Sequence, residues 1–198
     1  MTRASAAAEA ANPNIVARPD RTIVLVGMMG VGKTTIGKRL AQRLGMRFID
    51  ADAEIEKAAG YTVPEIFEKF GEAQFRDGER RVIARLLKDE PAHVLAAGGG
   101  AFNDPETRER VAERGISVWL RAGLDVLARR VARRNNRPLL AGGDMEEKLA
   151  ALLEQREPIY ALAELHLDTS DGEPEDSVEA LVHKLEEGGY MKVYATRP

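Results

Sequence analysis

The segment Gly27-Met-Met-Gly-Val-Gly-Lys-Thr-Thr35 directly follows the apolar run Thr22-Ile-Val-Leu-Val26 and leads into Ile36, Leu40 and Leu44 at four-residue spacing. A buried strand, a glycine-rich turn and an amphipathic helix, in that order, commit the chain to a strand–loop–helix unit. Gly27, Gly32, Lys33 and Thr34 also occupy the fixed positions of the phosphate-binding loop G-x-x-x-x-G-K-[ST]. Physical chemistry asks for these residue types. Glycines let successive N–H groups turn inward toward phosphate oxygens, and the following helix adds the positive end of its dipole. Lys33 is expected to reach the β- and γ-phosphates and the Thr34 hydroxyl to ligate Mg2+. Gly30, Val31, Gly32 and Thr35 complete the expected ATP cradle. The competing reading is a turn with no function; the strand before it and the helix after it favour phosphate binding.

Beyond this unit, short β-rich runs alternate with helical patterns. Strands are predicted at 22–26, 46–50, 92–97, 116–120 and 165–168. Helices are predicted at 33–44, 52–60, 64–70, 72–88, 104–114, 123–133, 145–163 and 175–187. Such alternation implies an α/β fold with a parallel sheet covered on both faces, and ligands then bind at the carboxyl ends of the strands. A chain of 198 residues suits one domain, placed at 21–187, with a tail over 1–20 and a second loose end over 188–198. The net charge of −3 weighs against nucleic acid or anionic membrane as the main partner. The sequence has no cysteine, which removes disulfide and thiolate chemistry and fits a reducing compartment, so a cytoplasmic location is expected. No apolar run approaches the roughly 20 residues of a membrane span.

Several strand ends carry chemistry. In Phe48-Ile-Asp50-Ala-Asp52, alternation puts both carboxylates on one side. Asp50 is suited to hold Mg2+ through water, and Asp52 to orient an acceptor hydroxyl and take its proton. A helix cap with acidic first-turn residues explains the same pair equally well. Gly98-Gly99-Gly100 follows another strand and leaves room for a ligand against backbone. Arg76, Arg156 and Arg137, each alone, read more often as solvated surface side chains than as ligands. Residues 121–137 carry six arginines and one aspartate, a basic helix face or a nucleic-acid contact on the bland readings. The stretch at about 133–144 mixes Arg, Asn, Pro and Gly between two helices, like a lid that brings arginine onto a transferring phosphate.

Taken together, GMMGVGKTT, FIDAD, EIFEKFGEAQFR (65–76), the GGG run, RPLL (137–140) and REPIY (156–160) resemble the shikimate kinase family over roughly residues 20–187. The resemblance implies a P-loop NTPase of the nucleoside-monophosphate-kinase type, with a five-stranded parallel sheet, a lid and a substrate-binding subdomain at about 52–82. It implies Mg2+-dependent transfer of the γ-phosphate of ATP to the 3-hydroxyl of shikimate, on the route to aromatic amino acids, by a monomer. Asp52 then corresponds to the hydroxyl ligand and base. Arg76 and Arg156 correspond to the clamp on the shikimate carboxylate, beside Gly98, Gly99 and Gly100. Arg137 corresponds to the catalytic lid arginine. For adenine the best matches are Arg134 (or Arg133) and the stretch from Thr169 to Pro174. One departure stands out: Asp77-Gly78 replaces a more helix-friendly pair, and glycine there weakens a helix by roughly 1 kcal/mol relative to alanine. The main rival within the same architecture is a gluconate kinase, since gluconate is also a polyol acid. The rivals outside it are a non-catalytic ATP-binding regulator and a nucleic-acid binder, which would need an aromatic platform. Met28, Met29, Trp119 and the histidines read as loop or core residues.

Overall fold

The computed structural model describes residues 15–132, 144–169 and 173–195. Strand β2 (Thr22–Val26) is buried at all five positions. A continuous rather than alternating apolar run is what a strand covered on both faces requires. It pairs in parallel with β4 (His93–Ala96) on one side and β5 (Gly115–Arg121) on the other. Strands β3 (Arg47–Asp50) and β6 (Leu165–Asp168) complete the expected five-stranded parallel sheet, in the order β3-β4-β2-β5-β6. The chain leaves β2 toward β3 on one side and later crosses to β5 on the other. The crevice beyond the carboxyl ends of β2 and β4 is therefore a switch point, where such sheets bind ligands.

Helix α1 (Lys33–Leu44) buries Ile36, Leu40 and Leu44, the predicted face. Each such side chain contributes roughly 1.5–3 kcal/mol of burial. Helices α2 (Ala51–Ala59) and α3 (Val63–Asp89) follow β3. Thr62 and Glu65 form a capping box at the start of α3, which satisfies two otherwise orphaned N–H groups. Gly71 (φ 79°, ψ 171°) breaks α3 where the sequence separates 64–70 from 72–88, a torsion open essentially only to glycine. Gly78, in contrast, lies within unbroken helix.

Helix α4 (Pro105–Arg114) leads into β5. Helix α5 (Leu124–Ala132) buries Leu127 and Val131 as its spacing predicts, and α6 (Met145–Tyr160) carries Arg156 and Tyr160 inward. Helix α7 (Pro174–Glu187) lies along α1, where Arg39–Glu175 (2.6 Å) and Arg43–Glu179 (2.9 Å) link the pair. Exposed ion pairs like these are worth under about 1 kcal/mol each.

The chain ends correct the sequence reading. Ile15–Pro19 (β1), assigned to the tail, pairs antiparallel with Met191–Ala195 (β7), assigned to the second loose end. Met191 and Tyr190 pack against the core, and Arg18 donates to the Gly45 carbonyl at 3.0 Å. These anchors matter because an isolated two-stranded ribbon is marginal in water. No helix among the described residues is long and apolar enough to cross a membrane.

Candidate active site

The loop after β2 turns on glycines whose torsions other residues resist: Gly27 (φ 135°) and Gly32 (φ 106°), the residue that opens α1. A Cβ on Gly27 would also sit 2.4 Å from the Leu120 carbonyl oxygen. The Lys33 ammonium donates to the Gly27 and Met28 carbonyls at 2.7 and 3.1 Å, which holds it over the loop. The Thr34 hydroxyl donates to one Asp50 carboxylate oxygen at 3.1 Å, while the other accepts from the Asp52 N–H at 3.1 Å. Asp50 thus caps α2, as the capping reading expects, and faces Thr34 at the phosphate loop at the same time. Asp52 reaches the same side as Asp50 by entering the first turn of α2 rather than by strand alternation.

Gly30 through Thr35 line a cavity of about 430 Å3, together with Asp50 and Asp52. A smaller cavity of about 70 Å3 adjoins it, walled by Phe67, Phe75, Arg76, Gly100 and Arg156. Asp52, Gly98 and Gly99 line both. Arg76 and Arg156, 80 residues apart in sequence, are brought together here, as the clamp expectation requires. Met29, read as a loop or core residue, is buried and also lines this smaller cavity.

Each arginine is held. Arg156 is 5% exposed and donates to the Gly99 carbonyl at 3.1 Å, and the Tyr160 hydroxyl donates to the same oxygen. Burial pushes the Tyr160 phenol up to about 12, so it remains a neutral donor at physiological pH. Arg76 donates to Glu79 at 2.7 Å and to Glu72 at 3.1 Å. Burial would lower the Arg76 guanidinium, but these two carboxylates outweigh it and raise its pKa. The glycine run answers to close approach: a Cβ on Gly100 would meet the Arg76 guanidinium at 2.6 Å, and one on Gly98 would meet Glu79 at 2.2 Å.

Glu79 is missing from the sequence reading. It is 2% exposed, its Oε1 has no hydrogen-bond partner among the described residues, and its pKa is raised by burial against the opposing pull of Arg76. Arg130 is missing too. It donates to the Thr169 carbonyl at 3.0 Å and the Val31 carbonyl at 3.4 Å, and lines the larger cavity with Thr169, Pro174 and Ser177. Of the expected adenine contacts, Thr169 and Pro174 are therefore at the cavity, whereas Arg133 and Arg134, like the expected lid arginine Arg137, lie outside the described residues. The described residues contain no cluster of three or more His, Cys, Asp or Glu able to hold a metal by themselves. A hydroxyl and a carboxylate at the phosphate loop fit a hard cation that takes its other ligands from phosphate and water.

The shikimate kinase family model matches residues 29–186. The chain is 56% identical over 165 residues to a shikimate kinase of Caulobacter vibrioides, covering 83% of this chain and 82% of that one. It is 54% identical over 166 residues to one of Paramagnetospirillum magneticum, covering 84% and 85%. Among solved structures, a shikimate kinase from Acinetobacter baumannii in complex with shikimate superposes with a TM-score of 0.81 at 41% identity, over 85% of this chain and 94% of that one. A gluconokinase from Sinorhizobium meliloti, at 20% identity and a TM-score of 0.59 over 87% and 97% of the two chains, shares the fold alone. The chain belongs to the shikimate kinase family.

Proposed function

We infer that the chain phosphorylates the 3-hydroxyl of shikimate with ATP, giving shikimate 3-phosphate and ADP. The observation that carries this reading is the shared wall. Asp52, Gly98 and Gly99 separate a phosphate-loop cavity from a cavity flanked by two arginines. A small polyol acid in the second cavity presents its carboxylate to Arg76 and Arg156, whose planar forks match a carboxylate. Its hydroxyl then lies at Asp52. The Asp52 carboxylate takes the hydroxyl proton as the oxygen attacks the γ-phosphorus and the bond to the β-phosphate oxygen breaks, releasing ADP.

In this reading Lys33 neutralises the β- and γ-phosphates, and the loop N–H groups from Gly30 to Thr35 cradle them. Thr34 and Asp50 hold Mg2+, which supplies charge neutralisation of the phosphates. Arg130 and Pro174 flank the adenine in place of Arg134, since a guanidinium plane stacks on a flat ring. Glu79 positions Arg76. Arg137 is assigned as the lid arginine on the transferring phosphate, within a lid at about 133–144 and beside a substrate subdomain at about 52–82. The enzyme acts as a cytoplasmic monomer without nucleic-acid or membrane partners.

ADP release from MgATP, with shikimate, gluconate and AMP offered separately, tests the assignment. Release that depends on shikimate alone is expected. Release with gluconate or AMP would keep the phosphate-loop chemistry and overturn the roles given to Arg76 and Arg156.

A further inference from the structure

Gly78 has no structural need to be glycine. It lies inside helix α3, outside the set of positive-φ glycines, and a Cβ there would meet nothing within 4 Å. Glycine in a helix interior costs about 1 kcal/mol relative to alanine. What the missing side chain does leave is the open floor of a groove of about 340 Å3 between α2 and α3. That volume falls in the range of small-molecule sites.

The groove has a defined chemistry. Ile55, Ile66 and Phe75 give it buried apolar walls. Tyr61 and Phe70 form an aromatic rim, 38% and 51% exposed, with ring centroids 5.6 Å apart in an edge-on arrangement. Arg81 is the cation in the lining. Its side chain is 73% exposed, and one terminal nitrogen lies 2.8 Å from Asp77. The guanidinium has five N–H donors, so this ion pair leaves others for an anion. The Lys69 ammonium adds positive charge at the rim, 4.3 Å from the centre of the Tyr61 ring.

We propose that this groove is a second ligand site, for a flat aromatic monoanion. The ring lies over the floor opened by Gly78, against Tyr61 and Phe70, with its carboxylate or sulfonate at Arg81. Aromatic rims favour flat rings over aliphatic chains, and the cations select for negative charge. Phe75 lines both this groove and the small cavity of the active site, and Arg76 follows it directly. An occupant therefore presses on the residue that precedes the acid clamp. That coupling rests on the shikimate reading; the binding itself does not.

The probe is anilinonaphthalene sulfonate, followed by its fluorescence on the full chain with MgATP saturating the nucleotide cavity. Saturable binding of one equivalent is expected, weakened at least tenfold by Gly78→Leu, which fills the floor, and several-fold by Arg81→Gln. Gly78→Ala, which occupies less of it, should bind more tightly than Gly78→Leu. In turnover assays the probe should raise the KM for shikimate in the wild type and leave it unchanged in Gly78→Leu. Equal affinity in the wild type and Gly78→Leu would overturn the site, as would displacement of the probe by MgATP. Should Gly78→Leu fail to fold by circular dichroism, Arg81→Gln and Phe70→Ala decide by the same readout, and wild-type affinity in both refutes the proposal. Failure of the shikimate reading would remove the KM effect and leave the fluorescence result standing.

Discussion

Gly100→Ala isolates one arginine without deleting it. The backbone there (φ −104°, ψ −10°) suits alanine, so the change introduces only a methyl group. That methyl would meet the Arg76 guanidinium at 2.6–2.7 Å. Ordinary contact needs about 3.5 Å, so the guanidinium must retreat by roughly 0.8 Å. The yielding group is the end of a flexible side chain rather than backbone, so the melting temperature should move little. Binding is another matter. A hydrogen bond to a charged partner is worth about 1.5–3 kcal/mol, which corresponds to about 10- to 150-fold in affinity. Steady-state kinetics with each substrate varied should therefore show the KM for shikimate rising within that span, with the KM for ATP changed less than about twofold. A shikimate KM within twofold of the wild type would show that the Arg76 head does not hold the carboxylate. A parallel rise in both KM values would place Arg76 between the two cavities.

Asp52→Asn should lower kcat by about 10²–10⁴-fold, the usual worth of a positioned base, with MgATP affinity by calorimetry nearly unchanged; an undiminished kcat would remove the base. Arg130→Ala should raise the KM for ATP and spare that for shikimate, and the reverse split would refute an adenine-side role. Glu79→Gln should change how stability depends on pH. Burial raises the folded-state pKa of Glu79 above its unfolded value of 4.5, so the wild type loses stability relative to the variant as pH rises through that window. Urea unfolding at pH 5 and pH 8 should show the difference moving in the variant's favour at the higher pH, and a pH-independent difference would refute the assignment.

The sheet was legible because its central strands β2, β4 and β5 are apolar runs buried on both faces, while the edge strands β3 and β6 are short runs that each end in aspartate. The break at Gly71 was legible for the same reason that it exists, a glycine between two helical patterns. Other features leave no such mark. Glu79 is one acidic residue three positions after Arg76 on a helix, and in sequence it looks like any solvated i,i+3 pair; only the fold shows it to be 2% exposed. Arg130 is one of many arginines on a basic stretch, and the neighbours that single it out, the Val31 and Thr169 carbonyls, are 99 and 39 residues away. The pairing of β1 with β7 depends on segments at opposite ends of the chain, one of them ending in proline, and neither carries a strand signal strong enough to predict its partner.

That pairing also sets how the molecule responds to being pulled. Ile15 lies opposite Ala195 at the outer end of the ribbon, and Pro19 lies opposite Met191 at the inner end. Tension between residues 15 and 195 therefore falls on one rung at a time, as in a zipper, and peels the ribbon toward Pro19. Only then does the load reach β2, which pairs along its length with β4 and β5 and must slide past several rungs at once. The ribbon is thus a weak link placed in series ahead of a strong one: traction between the two ends opens the clasp first and then, on the N-terminal side, meets the strand that carries the phosphate loop.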